Sequence, residues 1–249
     1  MKKLLFTALL TSLVIGCKEK AKGVEEKASN AMAKTEMEVP QNEWKVLFNG
    51  KTFDGWHEYR KEGVSEQWKI EDGAMVFYPP KERNGESYNL VSDNEYTDFV
   101  LSIEWRIAEA GNSGIFWGVK ELPELGQPYE TGPEIQVLDN DKHPDGKNGT
   151  SHQAGALYDM VSPSEDVTKA IGEWNLCEIT INHKTNMGIV VLNEVEVVNF
   201  PVNNPEWGEM VSKSKFADWE HFAKYTTGKI GVQDHGDVVA YRNIKIKEL

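Results

Sequence analysis

The chain predicts an all-β protein, a two-sheet sandwich of jelly-roll type. Three observations lead there. Apolar and polar residues alternate in many short runs rich in β-branched and aromatic side chains, the pattern of half-buried strands. Turn dipeptides such as Asn49-Gly50, Asp72-Gly73, Asn84-Gly85 and Asn193-Glu194 separate those runs. No strand–helix alternation of the kind that builds a parallel sheet is present.

Taken in order, the chain opens with an address. Met1-Lys2-Lys3 is a positive head, and Leu4 to Ile15 is an apolar stretch shorter than the ~18 residues of a spanning helix. It ends in Val14-Ile15-Gly16-Cys17, which resembles a bacterial lipobox with Cys17 as the lipid attachment site. Residues 1–17 are therefore expected to be a lipoprotein signal peptide. The protein is expected to be exported and lipid-anchored in the cell envelope, at the outer membrane on its periplasmic or surface side. Residues 18–43 mix Lys, Glu and Ala with little apolar pattern and read as a flexible tether.

From residue 44 to 249 the sequence reads as one β domain. Clear strands are Phe99-Val100-Leu101-Ser102-Ile103-Glu104-Trp105-Arg106-Ile107, Gly188 to Leu192, Glu194 to Val198 and Val238 to Ile246. One helical insertion is expected over 205–224, where Trp207, Met210, Val211, Phe216, Trp219 and Phe222 recur at spacings near those of a helix face.

Composition narrows the partners. With 27 Lys+Arg against 40 Asp+Glu the formal charge is −13, and losing Lys2 and Lys3 with the signal makes it more acidic. Such a chain is a poor match for nucleic acid or an anionic membrane face, so membrane contact is expected only through the lipid. Two cysteines exclude a disulfide framework. Cys177, facing the same way as Ile179 and Ile181, reads as a small buried hydrophobe.

Four segments carry candidate chemistry. In Glu104-Trp105-Arg106, side-chain alternation puts Glu104 and Arg106 on one face. The turn Gly111-Asn112-Ser113-Gly114 feeds an aromatic strand in which Phe116 or Trp117 could stack on a sugar ring. Around Glu134-Ile135-Gln136-Val137-Leu138-Asp139, Glu134 and Gln136 share a face. His143, His152 and Tyr158 follow closely. Gly231-Val232-Gln233-Asp234-His235-Gly236 puts Gln233 and His235 on the face opposite Val232. These residues admit three readings. A pair of carboxylates, Glu134 with Glu104 or Asp139, suits a glycoside hydrolase. Asp139, His143 and His152 offer oxygen and nitrogen ligands to a divalent metal ion, although their spacing matches no tight metal motif. Aromatics and amides alone would make a non-catalytic carbohydrate-binding module.

Together the segments resemble the 3-keto-disaccharide hydrolase domain family. The matching pieces are Leu47-Phe48-Asn49-Gly50-Lys51 with Asp54-Gly55-Trp56, Trp68 with Asp72-Gly73, Asn112-Ser113-Gly114-Ile115, Glu134 to Asp139, Tyr158-Asp159, Glu173-Trp174-Asn175, Asn193, Gly231 to Gly236, and Arg242-Asn243-Ile244. They run in family order over the whole domain; Phe53 and Val232 stand where the family pattern has Leu. The resemblance implies a concanavalin A-like jelly roll of the lectin and glucanase type, and cleavage of a glycoside already oxidised at C3. A base removes the acidified C2 proton, the C1 oxygen leaves, and water adds. Glu134 or His235 is expected as the base. Arg106, His152 or a metal is expected to stabilise the enolate. Glu104, Asn112, Gln136, Tyr158, Gln233 and Trp117 are expected to bind the carbohydrate substrate. A separate sugar 3-oxidoreductase must supply the ketone, because the chain has no dinucleotide fingerprint.

Overall fold

The computed structural model describes residues 43–249. The signal segment, Cys17 and residues 18–42 of the expected tether lie outside the described residues. Two antiparallel sheets form a jelly-roll sandwich, as the alternation predicts. The larger sheet joins β11 (Val195–Phe200), β10 (Met187–Leu192), β9 (Asn175–Asn182), β6 (Phe99–Ile107), β13 (Val239–Glu248), β4 (Ala74–Phe77) and β3 (Trp68–Glu71), with β1 (Lys45–Val46) also pairing β13. The smaller runs β2 (Trp56–Glu58), β5 (Leu90–Tyr96), β12 (Gly228–Val232), β7 (Asn112–Val119) and β8 (Glu134–Leu138).

Alternation decides what each sheet buries. Leu101, Ile103, Trp105 and Ile107 of β6 meet Ile115 and Trp117 of β7, Ile135 and Val137 of β8, and Ile230 and Val232 of β12 in one core between the sheets. Cys177, Ile179 and Ile181 join them. Burial pushes the Cys177 thiol up to about 12, so it remains a neutral core side chain. β10 and β11 are joined by Asn193-Glu194, both at positive φ (48° and 72°), the left-handed pair that a two-residue hairpin requires.

The expected helix over 205–224 is shorter than its apolar spacing suggests. α1 spans Pro205–Ser212, capped by Asn204, whose side chain accepts from the Trp207 N–H at 3.1 Å. Beyond it the backbone makes separate three-residue turns, Ala217 N–H to Ser214, Trp219 N–H to Phe216 and Phe222 N–H to Trp219. Such turns recur at intervals near a helical turn, which is why the residue spacing alone reads as helix. Phe216 and Phe222 stack there with centroids 3.9 Å apart.

Candidate active site

The smaller sheet has its own outer face. Along β7, Asn112, Gly114 and Phe116 point away from the core. Along β8, Glu134 and Gln136 do the same. The register sets Gly114 opposite Gln136 and Phe116 opposite Glu134. Gly114 matters because a Cβ there would fall on the Glu134 carboxyl. Without it, the carboxyl lies down on the backbone of the neighbouring strand.

A folded-back loop completes the arrangement. After β8, residues 155–158 return along its free edge: Gly155 N–H donates to the Gln136 carbonyl (2.9 Å), Gln136 N–H to Ala156 (3.1 Å) and Tyr158 N–H to Glu134 (3.0 Å). This covers the sheet edge and brings Tyr158 beside Glu134. Asp145 then acts as a hub. It accepts from Tyr158 Oη (2.9 Å) and Asn148 Nδ2 (2.9 Å) and bonds His152 Nδ1 (2.9 Å). Burial raises the Asp145 pKa, but the bonds from His152, Asn148 and Tyr158 outweigh it and hold the carboxyl below its usual range. Asp159 bonds His152 Nε2 at 3.1 Å and accepts the Lys215 N–H at 2.7 Å, fastening the segment after α1 to the same loop.

The result is a cleft of about 680 Å³, with Glu134, Asn112, Gln136 and Gln233 on its floor. Tyr129, Phe216 and Trp219 supply aromatic walls, with Tyr129 and Trp219 at 6.1 Å between centroids. Lys215 Nζ lies 4.0 Å over the Tyr158 ring. On the far side Arg83 is paired with Asp234, which also accepts the Tyr88 N–H at 2.5 Å.

Two properties of this floor are unusual. Asn112, Gln136 and Gln233 are each buried, and the side-chain oxygen of each has no hydrogen-bond partner among the described residues. A buried acceptor left unpaired costs ~1–3 kcal/mol, so three in one cleft are acceptors open to a donor from water or a ligand. Glu134 is buried beside them, and desolvation lifts its pKa to about 8; Lys215 pulls it down and Asp145 pushes it up, both less strongly. Asp234 is raised by burial to about 6, against bonds from Tyr88 and Arg83. His235, at the exposed rim, is held below its ordinary value by nearby protein and by His143, while Asp237 opposes this.

The family model of the 3-keto-alpha-glucoside-1,2-lyase-like domain matches residues 43–247. A 3-keto-disaccharide hydrolase from Bacteroides thetaiotaomicron is 31% identical to this chain, with both covered along their full length.

The chain belongs to this 3-keto-alpha-glucoside-1,2-lyase-like family.

Two crystal structures from Parabacteroides distasonis, each described as a candidate glycosyl hydrolase, are similar to it. One is 32% identical with a TM-score of 0.75 over 83% of this chain and 94% of that one. The other is 25% identical with a TM-score of 0.64 over 84% and 100%. These likenesses make the chain a hydrolase-type enzyme.

Against this family background, the cleft gathers Glu134, Asn112, Gln136, Tyr158, Gln233 and His235 as expected from the sequence, and leaves others out. Glu104 and Arg106 stand on β6, in the other sheet. Glu104 accepts from Arg242 Nε (2.7 Å) and Asn243 Nδ2 (2.7 Å), while Arg106 lies 4.7 Å over the Trp174 ring. Trp117 points into the core against Phe200, at 5.8 Å between centroids. Asp139 spends its carboxylate on the N–H groups of Ala110, Asp141 and Lys142, so it forms no ligand set with His143 and His152. His152 is held between Asp145 and Asp159 behind Tyr158, not in the cleft lining. The cleft also draws on Arg83, Asp234, Lys215 and Trp219, which no strand pattern singles out because all four come from loops and turns.

Proposed function

We propose that this protein cleaves glycosides oxidised at C3, the 3-keto-disaccharides, by proton abstraction at C2 and elimination at C1. The observation that carries the reading is Glu134, a desolvated carboxyl of raised pKa ringed by three unpaired amide oxygens. Sugar hydroxyls are matched donors for Asn112, Gln136 and Gln233, and the aromatic walls suit the apolar faces of a sugar ring.

The steps follow from the chemistry of the floor. Ionised Glu134 takes the C2 proton, whose acidity comes from the C3 ketone. A base of pKa about 8 is stronger than an ordinary carboxylate and better matched to a carbon acid, and Lys215 favours its charged form. The electron pair left at C2 forms the C1–C2 double bond as the C1–oxygen bond breaks. Glu134 then returns its proton to the departing oxygen. Water adds across the double bond, hydroxyl to C1 and proton to C2, so the sum is hydrolysis. The ketone must come from an upstream sugar 3-oxidoreductase. The lipobox supports an exported, lipid-anchored protein working in the cell envelope.

A two-carboxylate glycosidase has less support here. Glu104 and Asp139 are committed elsewhere, and the other buried acid of the cleft lining, Asp234, is paired with Arg83. The experiment is turnover of a 3-keto-disaccharide in heavy water. Product labelled at C2 is expected. Cleavage of the unoxidised disaccharide with no label at C2 would overturn the proposal, since direct displacement at C1 leaves that bond intact.

A further inference from the structure

The cleft does not end at its aromatic wall. A second cavity of about 620 Å³ adjoins it, and Gln127, Tyr129 and Trp219 line both. The Tyr129 and Trp219 rings, tilted at 43° to each other, therefore stand where one space gives onto the other.

Gln127 is oriented there by a chain of bonds that starts at the backbone. Asn89 Oδ1 accepts the Asp234 N–H at 2.9 Å, so Asn89 Nδ2 is the end that donates, to Ser87 Oγ (2.7 Å) and to Gln127 Oε1 (2.9 Å). Ser87 Oγ donates to the same Gln127 oxygen at 3.0 Å. A single backbone N–H thus fixes which way the Gln127 amide faces. Its oxygen is engaged twice, while its Nε2 has no hydrogen-bond partner among the described residues. An oriented donor is left at the junction of the two cavities.

Charge sets the second cavity apart. Glu124, Glu130 and Glu220 line it, and among the described residues no lysine or arginine does so. Glu130 Oε2 accepts the Gly126 and Gln127 N–H groups at 2.7 and 2.6 Å. His221 stands beside Glu124, with Nε2 3.7 Å from its carboxylate. Arg60 bonds the Leu125 carbonyl but is not part of the lining. The catalytic cleft, by contrast, has Lys215 and Arg83 in its lining.

Resting on the reaction proposed above, we infer that the second cavity is the subsite for the leaving group, and that it takes a neutral or amino-bearing sugar and turns away an acidic one. The ring oxidised at C3 lies over Glu134 among the unpaired amides. The group on its C1 oxygen needs a space that opens from the cleft, and this cavity does so past Tyr129 and Trp219. Those rings offer apolar faces to a second sugar, Gln127 Nε2 offers a donor to one of its oxygens, and the carboxylates accept from hydroxyl or ammonium groups. A carboxylate on that sugar would face three like charges with no cation in the lining to offset them. Contacts made there, away from the reacting carbon, hold the C2–H bond in place against Glu134.

Four 3-keto-glucosides test the subsite. They share the oxidised ring and differ in the leaving group: methanol, glucose, glucosamine and glucuronic acid, the three sugars in one linkage. On each protein, kcat/KM for a sugar leaving group is divided by that for the methyl glycoside. In the native chain glucose and glucosamine are expected to exceed glucuronic acid at least tenfold. Trp219→Ala is expected to lower the glucose and glucosamine ratios at least fivefold. Trp219 packs edge to face on Phe216, with centroids 5.1 Å apart, so a second variant keeps the test independent of that packing. Glu124→Lys combined with Glu220→Lys reverses two exposed charges and is expected to raise glucuronic acid at least tenfold relative to glucose, a change that loss of structure does not produce. Equal ratios for the three sugars in the native chain, or ratios unmoved in both variants, overturn the subsite. Calorimetry with the corresponding unoxidised disaccharides separates it from the reaction. Binding in the same order by a chain that turns over none of the four keto-glucosides overturns the reaction and leaves the subsite standing, and binding without that order overturns the subsite whatever the turnover.

Discussion

Replacing Glu134 by Gln should make stability less dependent on pH, and the size of the effect follows from its burial. The folded-state pKa rises from 4.5 to about 8 because the ionised form is desolvated. Between those two values the folded chain holds a proton that the unfolded chain has released. Stability from this group is therefore complete below the unfolded pKa and is lost as pH climbs toward the folded one. At ~1.36 kcal/mol per unit, the native chain loses about 3 kcal/mol from this one group between pH 5 and pH 8. Glu134→Gln has no proton to lose, and the other titrating groups are common to both proteins. The gap in melting temperature between variant and native chain should therefore widen in the variant's favour by about 6–12 °C over that range, at ~2–4 °C per kcal/mol for a domain of this size. Calorimetric melts of both proteins at pH 5, 6, 7 and 8 measure it. Parallel curves would refute the argument, because they would mean that Glu134 ionises in the folded chain as it does in water.

Gly114→Ala should keep the sheet but push the Glu134 carboxyl off the strand, with a loss of about tenfold to a hundredfold in kcat read in steady-state kinetics. Gln233→Met should remove an unpaired buried acceptor, so chemical denaturation should show stability unchanged or higher by ~1 kcal/mol while KM for the keto-sugar rises. Cys17→Ser should release the protein from the membrane fraction or stall its maturation, followed by fractionation and immunoblotting.

Much of the sandwich is legible because alternation is a local signal. β6 covers Phe99–Ile107, the residues whose pattern announces it, and Glu134, Gln136 and Gln233 share the outer face that their spacing requires. Alternation specifies the side of a strand, however, and not the sheet to which the strand belongs. Glu104 and Arg106 do face outward, but from the opposite sheet. Trp117 is an inner residue by the same rule that makes Phe116 an outer one, and neither lines the cleft: Phe116 is buried in a small cluster with Tyr59, Val91 and Val119. Lys215 and Arg83 were hidden for a different reason. They sit in turns and loops, where position depends on long-range bonds such as Asp159 to Lys215 and Asp234 to Arg83.

The cleft is built from two materials. Its floor is built on the sheet, with Glu134 and Gln136 on β8, Asn112 on β7 and Gln233 just past the end of β12, while one wall is the turn-rich stretch carrying Lys215, Phe216 and Trp219. That wall is held by a few discrete fasteners, among them Asp159 to the Lys215 N–H and Ala223 N–H to the Thr131 carbonyl at 2.8 Å. Reactivity and substrate choice are thus carried by separable parts of the chain. Residues 216–222 can be exchanged for another sequence of matching ends to favour a longer, shorter or differently linked leaving group, while Glu134 and Lys215 are inherited unaltered.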